Sequence, residues 1–163
     1  MEEVVTQVVV QNGTFYAILG AAISAFVAGM GSILGILTPG SKGAGVLAEK
    51  PDLFGKILVL AALPGSQGVY GLLIAIMILQ ASGVLGGGEA VSLSGGYQLL
   101  VAGILMGLAG LASAYFQGKV VSAGISAVAK DDSLSGKMIV LSVLIETYAI
   151  FGLLVALFIV LGV

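Results

Sequence analysis

Residues 136–162 read GKMIVLSVLIETYAIFGLLVALFIVLG, and residues 55–82 read GKILVLAALPGSQGVYGLLIAIMILQAS. Each stretch exceeds the ~20 mostly apolar residues that carry a helix across a ~30 Å hydrocarbon core. Laid over one another at an offset of 81 positions, they share Gly55-Lys56 with Gly136-Lys137, Val59-Leu60 with Val140-Leu141, Leu63 with Leu144, Gly71-Leu72-Leu73 with Gly152-Leu153-Leu154, and Ala75 with Ala156. The same offset aligns the runs that precede them, at about 14–37 and 96–118: Ala21, Ile23, Ala28, Gly29 and Ser32 meet Ala102, Ile104, Ala109, Gly110 and Ser113. Four hydrophobic runs thus arise from two copies of one hairpin, over residues 1–82 and 83–163. Each copy holds an even number of spans, so both have the same orientation and the repeat is parallel rather than inverted.

Composition sets the solvent. Apolar residues are 59% of the 163 and charged residues 9%, with a mean hydropathy of +1.20; soluble domains hold roughly 45–50% and 25%. The expected fold is therefore an all-α membrane protein of four transmembrane helices. Cys, His, Trp and Arg are missing, which removes thiol chemistry, imidazole acid/base chemistry and soft-metal sites. No basic patch with interleaved aromatics points to nucleic acid. Glu2 and Glu3, with no lysine nearby, lack the positive start of a cleavable signal, so the first span is expected to be retained.

Charged and turn-forming residues gather at Thr38-Pro39-Gly40-Ser41-Lys42, at Glu49-Lys50-Pro51-Asp52 and at Lys130-Asp131-Asp132-Ser133, which read as turns within loops 38–54 and 119–135. All six lysines border these loops, whereas Glu2, Glu3 and Glu89 lie on the other side. By the positive-inside rule the loops face the cytoplasm and both termini face out, across the cell membrane. Spans one and three carry Ala, Gly and Ser at helical spacing, spans two and four bulky Leu, Ile, Val and Phe. Small residues let helix backbones approach closely. The division fits an inner layer of thin helices around an axis, and equally a four-helix bundle with a small-residue core.

Glu146 lies about ten residues into the fourth run and is the one ionisable carboxylate or amine inside any span. At the bilayer centre a charge costs about 2.5–3.5 kcal/mol or more, which makes such a residue a functional candidate before a structural one. Its positive partner comes from outside the polypeptide: a proton, a bound metal cation, or a basic residue of another subunit. Span two carries Leu63-Pro64-Gly65-Ser66-Gln67 and then Tyr70, and span three carries Gln117 toward its loop end. Pro64 lacks an N–H and bends the helix, which is expected to free carbonyls near Leu60 and Leu63. Leu63, Ser66 or Gln67, and Tyr70 share one helix face. Carboxylate, hydroxyl, two amides and a carbonyl make an all-oxygen set of the kind hard cations prefer. The same residues also read as an ordinary kink with interhelical hydrogen bonds and no ion. The repeat places Gly65 where the second copy has Glu146, so one carboxylate serves four helices.

Three segments, Leu63-Pro64-Gly65-Ser66-Gln67-Gly68-Val69-Tyr70-Gly71, Gln117-Gly118-Lys119-Val120 and Ile145-Glu146-Thr147-Tyr148-Ala149-Ile150-Phe151-Gly152, give the chain a resemblance over nearly its whole length. It resembles the proteolipid, or rotor-ring, subunits of V-type ATPases, in particular the bacterial sodium-translocating type, subunit K. The resemblance implies a homo-oligomeric ring of about ten copies in lipid, turned by ATP hydrolysis in a peripheral complex. It also implies a stator subunit whose arginine displaces the ion, and central stalk subunits at the cytoplasmic loops. A rotor proteolipid of this kind performs no covalent step of its own. Carried over residue by residue, the resemblance makes Glu146 the ion-carrying carboxylate, Leu63, Ser66, Gln67 and Gln117 further Na⁺ ligands, and Tyr70 and Pro64 supports. The sodium type has threonine where this chain has Ser66, and the hydroxyl survives the change. The same rotor carrying H⁺ needs only Glu146 and an acceptor. A small secondary transporter and a purely structural assembly protein are the remaining readings.

Overall fold

The computed structural model describes residues 2–163, with side chains from Gly13 onward. It is all-helical there: α1 (Glu2–Glu49), α2 (Phe54–Ala62), α3 (Ser66–Ala81), α4 (Leu93–Lys130) and α5 (Ser135–Leu161). Four stretches, Gly13–Glu49, Pro51–Ala81, Leu93–Lys130 and Asp132–Leu161, are long and apolar enough to cross a membrane. The second is α2 and α3 joined by a 3₁₀ turn, Leu63–Gly65. The sidedness expected for Glu2 and Glu3 falls on side chains outside the described residues.

The repeat reaches the helix ends. α1 stops at Glu49 and α4 at Lys130, each followed by a one-turn 3₁₀ segment, Pro51–Leu53 or Asp132–Leu134. Both expected loops, 38–54 and 119–135, are therefore much shorter than the hydropathy suggested. Thr38–Lys42 is helix rather than turn, with Pro39 inside it. A proline in a helix interior costs about 3 kcal/mol in isolation. Here Pro39 is buried, and Gly43 one turn later packs on Ile57. Hydropathy fell at Thr38 because the surroundings become polar, whereas the helix persists because its packing face continues.

That face is a seam of small residues. A Cβ added at Gly96 would lie 2.3 Å from the Gly13 carbonyl oxygen, at Gly103 2.0 Å from that of Gly20, and at Gly118 2.2 Å from that of Gly35. The three glycine pairs share one offset, two positions longer than that of the repeat, so α1 and α4 run parallel in constant register with their backbones nearly touching. α3 packs on α1 and α5 on α4, which gives the thin inner and thick outer layers.

Two apolar clusters flank the middle of this arrangement. One joins Ala17, Ile74, Ile78, Leu99, Met106 and Ala156; the other, toward the lysine-rich end, joins Ile57, Leu60, Val121, Ile125 and Val128. Between them lies a buried polar layer of Ser24, Ser32, Gln67, Ser113, Gln117 and Ser142. Outward-facing side chains are large and apolar, Phe26 at 70% and Phe158 at 67% exposure, as befits contact with lipid or other chains.

At the lysine-rich end the hairpins are tied together. Lys50 donates to the Ala129 carbonyl at 2.6 Å, covering the C-terminus of α4, and Lys56 pairs with Asp132. That pair is exposed and contributes little. Ser133, by its side chain and then its backbone N–H, holds the Asp131 carboxyl below the usual carboxylate range. At the opposite end Gly83, with φ of +75°, turns the chain out of α3, and Ser92 caps α4 through Gly95 N–H.

Gly103→Ala drives a methyl into the Gly20 carbonyl, with an expected cost of about 1–3 kcal/mol and a lower melting temperature in detergent. Gly45→Ala, which meets nothing, is expected to be neutral or to gain up to ~1 kcal/mol. A Gly103→Ala protein melting with wild type would disprove the close approach of α1 and α4.

Candidate functional site: a carboxyl in a polar layer

Glu146 is half-buried on α5, at the gap between α3 and α5, with α4 behind. Its Oε1 accepts from the Ser66 hydroxyl at 2.6 Å and from the Tyr70 hydroxyl at 2.8 Å. Its Oε2 accepts from Gln117 Nε2 at 3.3 Å. The chain supplies three donors to the one acid in the layer and no cation: among the described residues the single ion pair is Lys56 with Asp132. Lys119, two residues from Gln117, points away and sits over the Tyr115 ring at 4.4 Å.

Gln117 and Gln67 are fully buried and bridge the helices behind the acid. Gln67 Nε2 donates to Gln117 Oε1 at 2.7 Å and to Ser113 Oγ at 3.2 Å; Ser113 in turn donates to the Ile145 carbonyl at 3.1 Å, and Gln117 Nε2 also donates to the Ser142 carbonyl at 3.3 Å. Because α4 continues to Lys130, Gln117 lies at the depth of Glu146 rather than toward the helix end. Sequence reasoning passed over Ser113 as a small packing residue. Its place one turn before Gln117 was the available signal, since i and i+4 share a helix face.

Pro64 produces its break, but the carbonyls do not stay free. The chain tightens into the 3₁₀ turn, so the Leu60 carbonyl accepts from Leu63 N–H and the Leu63 carbonyl from Ser66 N–H. This corrects the expectation of orphaned carbonyls; tightening to i→i+3 bonds is a usual remedy at helix ends. The turn does aim the Leu63 carbonyl at the site, 3.2 Å from Ser66 Oγ. Gln67 Oε1 is 3.3 Å from the same hydroxyl. Glu146, Gln67 and Leu63 thus present three acceptor oxygens to one hydroxyl that has a single hydrogen to give. Leu63, Ser66, Gln67, Tyr70, Gln117 and Glu146 all meet here, every one from a single chain.

The family model for the ATP synthase C subunit matches the chain twice, over residues 19–78 and again over 100–159, one match for each hairpin, and the chain belongs to that family. It is similar to the A-type ATP synthase subunit K of Methanocaldococcus jannaschii, at 46% identity over 145 residues, 89% of this chain and 61% of the relative's length. It is similar, at 34% identity over 162 residues and 99% of both chains, to the V-type sodium ATPase subunit K of Enterococcus hirae. A third relative, the V-type proton ATPase subunit c' of Neurospora crassa, is 32% identical over 143 residues, 88% of this chain and 86% of its own.

Gln117→Ala strips Glu146 Oε2 of its donor and leaves Gln67 Nε2 with Ser113 alone. The expected loss is about 1–2 kcal/mol, within the range of interhelical hydrogen bonds in membranes, read as a lower melting temperature in detergent. Tyr70→Phe, at the rim, is expected to cost less. Wild-type melting of Gln117→Ala would mean that the amides do not hold α3, α4 and α5 together.

Proposed function

We propose that the chain is an ion-carrying rotor subunit of a rotary ATPase membrane sector, built from the repeat units 1–82 and 83–163, that carries one Na⁺ per copy on Glu146. The observation that carries this reading is the convergence of acceptor oxygens on Ser66. Three oxygens facing one hydrogen repel one another, and a small hard cation among them turns that repulsion into attraction. Leu63 through its carbonyl, Ser66, Gln67, Gln117 and Glu146 are the proposed ligands. Tyr70 steadies the carboxyl, and Pro64 sets the turn that aims the Leu63 carbonyl. The protein itself performs no covalent chemistry.

Electrostatics then account for motion. With a cation bound, the Glu146 charge is compensated and the rotor passes through lipid without exposing a bare ion. A fixed positive charge on a stator competes for the carboxyl and displaces the cation into an exit path; this chain has no arginine, and Lys119, the lysine nearest Gln117 in α4, sits over the Tyr115 ring, so this reading assigns that charge to another protein. The exposed apolar faces suit side-by-side packing of copies in a ring. Stalk subunits would contact the short lysine-bordered turns, taken as cytoplasmic in the cell membrane with both termini outside. The relatives' names include both sodium and proton machines, so the choice of Na⁺ rests on the oxygen cluster and not on kinship. H⁺ carriage on Glu146 is the second reading: it needs only the carboxyl and an acceptor, and one relative is named for a proton ATPase.

A hydrophobic carbodiimide is expected to label Glu146 in purified rings, and Na⁺ at constant pH to slow that labelling. Labelling indifferent to Na⁺ would assign the site to protons. Glu146→Gln is expected to abolish ATP-driven ion uptake while the ring still assembles, and uptake that survives this substitution would refute the rotor reading.

A further inference from the structure

Ser142 lies one helical turn before Glu146 on α5. Its side chain is fully buried, and among the described residues its Oγ is the one buried side-chain oxygen or nitrogen with no hydrogen-bond partner. An unsatisfied buried hydroxyl costs about 1–3 kcal/mol, and hydrocarbon offers nothing to relieve it. A helical serine ordinarily escapes by donating to a carbonyl of its own preceding turn. Ser82, Ser126 and Thr147 all do so here, to Leu79, Ser122 and Leu144. Ser142 does not.

Its neighbourhood supplies a second irregularity. Glu146 Oε1 has two donors at 2.6 and 2.8 Å, whereas Oε2 has only Gln117 Nε2 at 3.3 Å. Charge-assisted N–H···O contacts usually run at about 2.7–2.9 Å, so Oε2 is under-served. The same Gln117 nitrogen lies 3.3 Å from the Ser142 backbone carbonyl, and Ser142, four residues before Glu146, shares its face of α5. The repeat supplies a third. The first hairpin has Ala61 at the position equivalent to Ser142 and Gly65 at that of Glu146. The hydroxyl occurs only in the copy that has the acid.

We propose that Ser142 Oγ and Glu146 Oε2 hold a water molecule between them beside Gln117, a position that extends the ion site one turn toward the lysine-rich end. Ser142 donates to this water, which has the two or more polar partners that a buried water needs. The water is an adaptable ligand: it turns its oxygen toward a cation on the loaded carboxyl and its hydrogens toward Oε2 when the cation has left. The proposal rests on the reading of Glu146 as the ion carrier.

The test is Ser142→Ala, the residue that the first hairpin already carries at this place. In purified rings, Na⁺ protection of Glu146 from carbodiimide is expected to require about three- to ten-fold more Na⁺, the effect of losing one water-mediated contact, while ring assembly is unchanged. An unchanged half-protection concentration, with wild type protected, would overturn the Ser142 assignment and leave the rotor reading intact. Absence of Na⁺ protection in wild type would count against the sodium reading itself. In either case a high-resolution map of the assembled wild-type ring decides for Ser142: density between its Oγ and Glu146 Oε2 is expected, and a dry contact there refutes the water site.

Discussion

A carboxyl group in hydrocarbon has no solvent to fall back on, so everything that stabilises Glu146 must be delivered by helices held at fixed distances. Ser66 and Tyr70 approach from α3, Gln117 from α4, and Glu146 itself from α5. Movement of any one helix by an ångström or two would lengthen these contacts beyond hydrogen-bonding range. The acid therefore requires a rigid scaffold, and the scaffold cannot be supplied by the hydrophobic effect, because lipid tails are as apolar as the side chains.

Backbone proximity supplies it instead. Glycine faces glycine at three levels between α1 and α4, and this sets both spacing and register over most of the length of the spans. The polar layer then locks the outer helices onto that pair. Ser24 donates to the Gly71 carbonyl, and Ser32 donates to the Gly65 carbonyl while accepting from Gly68 N–H. These bonds hold the broken second span on α1, where its 3₁₀ turn faces α5. Apolar clusters on either side keep the layer at one depth.

The parts of this arrangement that contrast with their surroundings were legible in the sequence. Glu146, Gln67 and Gln117 stand out among apolar neighbours, Ser66 or Gln67 shares a helix face with Leu63 and Tyr70, and the repeat fixed the number and orientation of the spans. Helix ends were not legible, because hydropathy reports the solvent around a residue and not its backbone. Thr38 through Lys42 are polar yet helical because Pro39 and Gly43 continue the packing face. The fate of the Leu63 carbonyl was hidden as well, since a proline tells that a helix is disturbed but not how it re-pairs. Ser113 and Ser142 escaped notice because serine is equally at home in a small-residue seam, and only coordinates separate a spacer from a hydrogen-bonding partner.

Comparison of the hairpins shows why the layer holds one acid and not two. Around Gly65, the counterpart of Glu146, the first copy places Ile36 where the second has Gln117, and the fourth span offers Thr147, Tyr148 and Phe151 where the second span offers Ser66, Gln67 and Tyr70. Ile36 fills the room, its Cδ1 3.3 Å from where a Cβ on Gly65 would stand. A glutamate at position 65 would thus meet a methyl group in place of an amide and bear about 2.5–3.5 kcal/mol or more without relief. Acid and amides form a set that is tolerable whole or not at all, and in the first hairpin the space is given over to packing. Freed of an acid, that hairpin can break at Pro64 and turn the Leu63 carbonyl toward its sister's carboxyl, while α5, which bears the acid, remains one unbroken helix.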